Sequence, residues 1–94
     1  MNFQGKADIT LKHLFLLTDV HDREYSYTDV DVTVFDKGNG RHHISLPDLP
    51  NVFETTHIKL LIDGEPHFFG NIGVNAREDG FLLSGQPVEG FPKD

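Results

Sequence analysis

Residues 28 to 35, TDVDVTVF, alternate without a break: Val30, Val32 and Val34 fall on one side of an extended chain, Asp29, Asp31 and Thr33 on the other. Successive side chains of a β-strand point to opposite faces, so this period demands a strand with one buried and one wetted side, and hence a sheet that covers a core. The next residues, DKGNG, hold two glycines and an asparagine that tolerate positive φ. RHHISL then resumes the alternation, with His42, Ile44 and Leu46 against Arg41, His43 and Ser45. The pattern predicts a hairpin. Pairing Phe35 with Arg41 sets Val34 beside His42, Val32 beside Ile44 and Val30 beside Leu46, and it places His43 opposite Thr33 and diagonal to Asp31.

The same reading extends along the chain. THIKLLI and HFFGNIGV flank DGEP, whose Asp63-Gly64 is a strong short hairpin signal. NAREDG turns the chain again into FLLSG, and pairing Val74 with Phe81 brings Ile72 and Val74 beside Phe81 and Leu83. In the first segment, DITLKHLFLLTDV, Ile9, Leu11, Phe15 and Leu17 fit a strand, whereas Leu11, Leu14 and Phe15 fit one face of a helix; Ile9 and Thr10 favour the strand. PDLPNVFETT holds two prolines, cannot sit centrally in a ladder, and is expected to cross from one hairpin to the next. The expected architecture is all-β, a single small antiparallel barrel or sandwich of about six strands, with α+β as the alternative if residues 8–18 are helical. Residues 1–86 form one β domain in this reading, and 87–94, rich in proline and glycine, an extended or disordered tail.

Composition bounds the function. A chain of 94 residues holds one core, and an apolar fraction of 37% with eight Phe and two Tyr is sufficient for an ordered fold. There is no cysteine, which excludes disulfides and thiolate metal sites and suits a reducing compartment. No apolar run is long enough to be a signal sequence or to span a bilayer, so the expected location is the cytoplasm, away from membranes. Fifteen acidic against eight basic residues give a formal charge of −7, and the basic ones are scattered singly. Phosphate backbones are bound by clustered Lys and Arg, so direct nucleic-acid binding is not expected. An acidic surface suits a basic protein partner instead.

Few residues point to chemistry. His42 and His43 are adjacent, so a regular strand turns them to opposite faces and they cannot share a metal. The polar face leaves Asp29, Asp31 and His43 as a cluster for a divalent ion or a basic side chain, with His43 and Asp31 the pair to test for metal. A second group, Asp19, His21, Asp22, Glu24, Tyr25 and Tyr27, falls in what reads as a connection and carries the types needed for acid-base work. No recognisable motif supplies a nucleophile, a phosphate-cradling loop or a metal-ligand spacing, and no cofactor is implied. PHFFGN puts Phe68 and Phe69 on opposite faces, which leaves either one of them at the surface for contact, aromatics being enriched at interfaces, or both in the core of a two-sided fold.

The candidate binding residues are Asp29, Asp31, His43, Tyr25, Tyr27 and Phe69, with no catalytic residue assigned. The leading expectation is a non-catalytic acidic β domain that acts as a protein-interaction or accessory module. A small-ligand or metal-binding barrel using the His and Asp residues of the 29–46 hairpin is the first alternative, and a small enzyme centred on residues 19–27 the second. An open sheet also presents edges, so the sequence allows a homodimer through an edge strand.

Overall fold

The computed structural model describes residues 1–14 and 23–92. Among these, six strands follow one another with no helix: β1 (Phe3–His13), β2 (Arg23–Asp36), β3 (His42–Pro47), β4 (His57–Ile62), β5 (Glu65–Arg77) and β6 (Gly80–Val88). They close into an antiparallel barrel in the order β1-β2-β3-β6-β5-β4, with β4 returning to β1. Residues 8–13 are strand, which settles the helical alternative over that stretch; Phe15 and Leu17 lie outside the described residues.

The alternation read from the sequence builds the core. Val30, Val32 and Val34 meet Ile9 and Leu11 of β1, Ile44 and Leu46 of β3, Ile58 and Leu60 of β4, Phe69 of β5 and Leu83 of β6, all buried. Each such side chain removed from water contributes about 1.5–3 kcal/mol. A barrel this small is filled by its own side chains. The crossing segment lies over one barrel end, where Val52 is buried as a plug and the Thr56 N–H donates to the Lys12 carbonyl at 2.9 Å.

The turns follow the residues that permit them. Asp63 and Gly64 have φ of 51° and 81°, the two positive values that a tight hairpin between β4 and β5 requires. Gly38, Asn39 and Gly40 are also left-handed, at 78°, 55° and 75°, which centres the β2–β3 turn on Asn39. That placement corrects the expected register: Val34 pairs with Ile44, Phe35 with His43 and Asp36 with His42. The shift is even, so the inward set is unchanged, but His43 now faces Phe35 instead of Thr33. β5 likewise runs through Arg77, so Val74 pairs with Leu83 and Ala76 with Phe81, not Val74 with Phe81. At the end of that hairpin Gly80 lies so close to β3 that a Cβ would stand 2.1 Å from the Leu46 carbonyl oxygen.

β6 continues past residue 86, with Pro87 paired to Phe69 and Val88 to Phe68. The following residues fold back along the barrel wall, where the Phe91 ring packs edge-on to Phe68 at 5.2 Å. Closure between β1 and β4 removes the wholly open edge strand that the homodimer argument needs. Closure is uneven, however: β2 pairs with β1 from Arg23 to Val34, but with β3 only from Thr33 to Asp36.

Candidate functional site

One inserted residue decides what β2 presents. Ala7 pairs with Val30 and Ile9 with Tyr27, so Asp8 faces both Thr28 and Asp29 in a β-bulge. Asp29 takes the left-handed φ of 52°, which aspartate tolerates better than most residues, and its N–H donates to the Asp8 carboxylate at 3.0 Å. The extra residue reverses the facing of the strand. Beyond it, Tyr27, Tyr25 and Arg23 stand opposite Ile9, Leu11 and His13 and continue the inward face of β1 toward the plugged end. Tyr25 and Tyr27 are thus strand residues, not members of a connection. Asp19, His21 and Asp22 of the proposed acid-base group lie outside the described residues.

At that end Tyr25, Arg23, His13, Leu49 and Phe53 line a cleft of about 380 Å³. Tyr27 donates its hydroxyl to the Pro50 carbonyl at 2.8 Å and anchors the crossing segment that forms one wall. His13 forms the base. Its Nε2 lies 2.8 Å from the Asn51 carbonyl, which can only accept, so the proton is on that nitrogen; Nδ1 faces the Glu54 carboxylate at 3.8 Å. The Tyr25 ring packs at 5.0 Å from the imidazole. A histidine held this way ties β1 to the crossing segment and orders the cleft. Phe53 stands at the rim, 66% exposed, its ring edge-on to Phe81 at 5.2 Å.

The other predicted residues go elsewhere. Asp31 is exposed on the outer face and pairs with Lys6 at 3.1 Å. His43 lies farther along, between Phe35 on β2 and Ser84 on β6, so the corrected register does not bring it diagonal to Asp31. Among the described residues no three His, Asp or Glu side chains converge as metal ligands. Phe69 is 2% exposed and belongs to the core. Since it pairs with the inward Ile58, its neighbour Phe68 turns outward and receives Phe91.

Beside Asp31 a second recess, of about 410 Å³, opens where β2 and β3 part; Gln4, Asp31, Thr33, Ser45, Pro47 and Asp79 line it. The cause is Pro47. In the observed register Asp31 would be opposite Pro47, which has no N–H to continue the ladder, and pairing stops at Thr33–Ser45. At the opposite barrel end His42 closes the core against Phe69, ring centres 5.3 Å apart. Burial pushes the His42 pKa below its usual value, helped by the Met1 amino group and opposed by Asp36. His57 is also lowered, by burial and then by Lys12.

Compared with protein-family models, curated proteins and solved structures, the chain matches none. No helix among the described residues is long and apolar enough to cross a membrane.

Proposed function

We propose that the protein is a non-catalytic binding domain that recognises a protein partner at the Tyr25–Phe53 end of the barrel. The observation that carries this reading is Phe53. A phenylalanine two-thirds exposed on the segment that follows Pro47 and Pro50, at the rim of a cleft lined by Tyr25 and Leu49, is costly to leave in water and well suited to the desolvated centre of an interface. The charge of −7 favours a basic partner. The cysteine-free composition fits a reducing compartment, and we place the protein in the cytoplasm.

The test is selection from a random peptide library displayed on phage, panned against the immobilised protein and against Phe53→Ala. The proposal expects basic sequences with an apolar anchor to be enriched on the wild type and lost on the variant. Because Phe53 is at the rim, Phe53→Ala costs only its edge-on contact with Phe81, about 0.5–1.5 kcal/mol, and the barrel stays folded. Equal enrichment on both proteins, or none on either, overturns the assignment.

A further inference from the structure

The recess beside Asp31 is a gap in a hydrogen-bonded wall. Lys37 donates its N–H to the Arg41 carbonyl at 2.9 Å, which fixes the phase of the β2–β3 ladder: the odd-numbered peptide groups of β2 above the bulge point toward β3. Thr33 and Phe35 find partners there, in Ser45 and His43. The ladder stops before Asp31, because the position opposite is Pro47, which has no N–H to donate to the Asp31 carbonyl. Below Asp31, β2 has β1 on one side and, among the described residues, no strand paired to the other as far as Arg23. Part of one strand of a closed barrel is therefore an edge, and the 410 Å³ recess opens at its Asp31 end.

We propose that this free side of β2 accepts an extended basic segment of a partner protein as an added strand. The inference rests on the protein-binding reading above and specifies how the partner is held. Strand addition takes its affinity from main-chain hydrogen bonds and its selectivity from side chains at the rim. Those side chains are acidic: Asp31 and Asp79 line the recess, and Asp29 and Asp48 are exposed beside it in the chain. Among the described residues no lysine or arginine lines the recess, and Lys6 approaches it as the partner of Asp31. Lysine or arginine at alternate positions of an added strand would meet these carboxylates.

A second copy is a poor occupant. Two β2 edges would set Asp29 and Asp31 against their own equivalents, and the bulge at Thr28–Asp29 interrupts the regular spacing that long edge-to-edge pairing needs. The same bulge confines an added strand to a short stretch, so charge at the rim carries much of the selection.

The test uses three labelled peptides: one alternating lysine with valine, one alternating glutamate with valine, and the lysine peptide N-methylated at every second residue. The methylated form keeps the charge and cannot pair as a strand. Fluorescence anisotropy reads affinity, and amide exchange by NMR reads the site. The expected result is binding of the plain lysine peptide alone, slower exchange at Asp31 and its neighbours in β2, and about tenfold weaker binding to Asp31→Asn/Asp79→Asn, whose substitutions are at exposed positions. Equal binding of the methylated peptide overturns strand addition in favour of charge attraction. Protection of the same amides on raising the protein concentration alone overturns it in favour of self-pairing. The two proposals separate cleanly: library peptides that depend on Phe53 and leave β2 exchange unchanged sustain the cleft and refute the added strand, and protection of β2 that ignores Phe53→Ala does the reverse.

Discussion

Gly80 and Gly73 sit in the same β5–β6 hairpin, and the structure assigns their alanine substitutions opposite signs. At Gly80 a new Cβ would stand 2.1 Å from the Leu46 carbonyl oxygen and 3.0 Å from two Pro47 backbone atoms. Ordinary contact begins near 3.4 Å, so more than an ångström of overlap must be relieved by backbone held in the β3–β6 ladder at Leu46–Phe81 and Pro47–Gly80. Overpacking costs about 1–3 kcal/mol, and the upper end applies where the obstacle is backbone. A loss near 3 kcal/mol lowers Tm by roughly 12–24 °C in a domain of this size. At Gly73 nothing lies within 4 Å of the added atom and φ is outside the left-handed region. There the smaller entropy of the unfolded alanine chain stabilises by about 0.4–1 kcal/mol. Urea unfolding of both variants, compared by midpoint at constant m, measures the difference. A Gly80→Ala midpoint within error of the wild type, or a Gly73→Ala loss as large as that of Gly80→Ala, refutes the packing argument. The result bears on the site as well, because Gly80 lets β3 come this close just before Pro47 leaves the ladder.

Other expectations follow from the core, the histidines and the outer face. Leu60 is fully buried, and Leu60→Ala should cost about 2–5 kcal/mol in the same unfolding assay, enough to unfold much of a marginal domain. The lowered pKa values of His42 and His57 mean that the unfolded chain binds protons more readily than the folded one. Stability from these groups is complete above the unfolded value of about 6.5 and declines as pH falls from there through the lower folded pKa values. A His42→Gln/His57→Gln variant should show a shallower loss of denaturation midpoint between pH 7 and 5; an unchanged slope would refute the assignment. Zinc titrated to equimolar amounts should leave the His43 and Asp31 resonances without a shared, saturating shift, since the register separates them; a stoichiometric response at both would contradict it.

Much of the architecture is legible in the residues because it depends on period and turn chemistry. The valines of β2, the Asp63-Gly64 turn and the two glycines around Asn39 each act locally, and each specifies its element. Register is less local. It changes with the centring of a turn by one residue, and the choice of Asn39 as the tip depends on how three left-handed residues fit the twist of both strands. The site is harder still, since it is made by a change of phase. YSY and VDV both alternate, but Tyr25 and Tyr27 are odd-numbered and Val30 and Val32 even, and two inward runs of opposite parity in one strand require an inserted residue between them. That signal is present in the sequence and is lost when YSY is assigned to a loop. Phe53 carries no such mark: its exposure follows from its neighbour Val52 taking the buried apolar position on the crossing segment. Arg23, too, gains its place at the cleft from the bulge alone.

The strand order has a consequence for synthesis. β1, β2 and β3 are neighbours, and β4 can pair with β1 as soon as it is made, but the gap between β3 and β5 is filled by β6, which follows the other five strands of the described barrel. Until Gly80–Val88 is available, Ile44 and Leu46 on one flank and Phe69 on the other border an unfilled slot with open main-chain groups. Such a half-built wall is prone to take up a strand from a neighbouring nascent chain. Translation speed after β5 and the presence of a chaperone should therefore matter more to the yield of this protein than to its final stability.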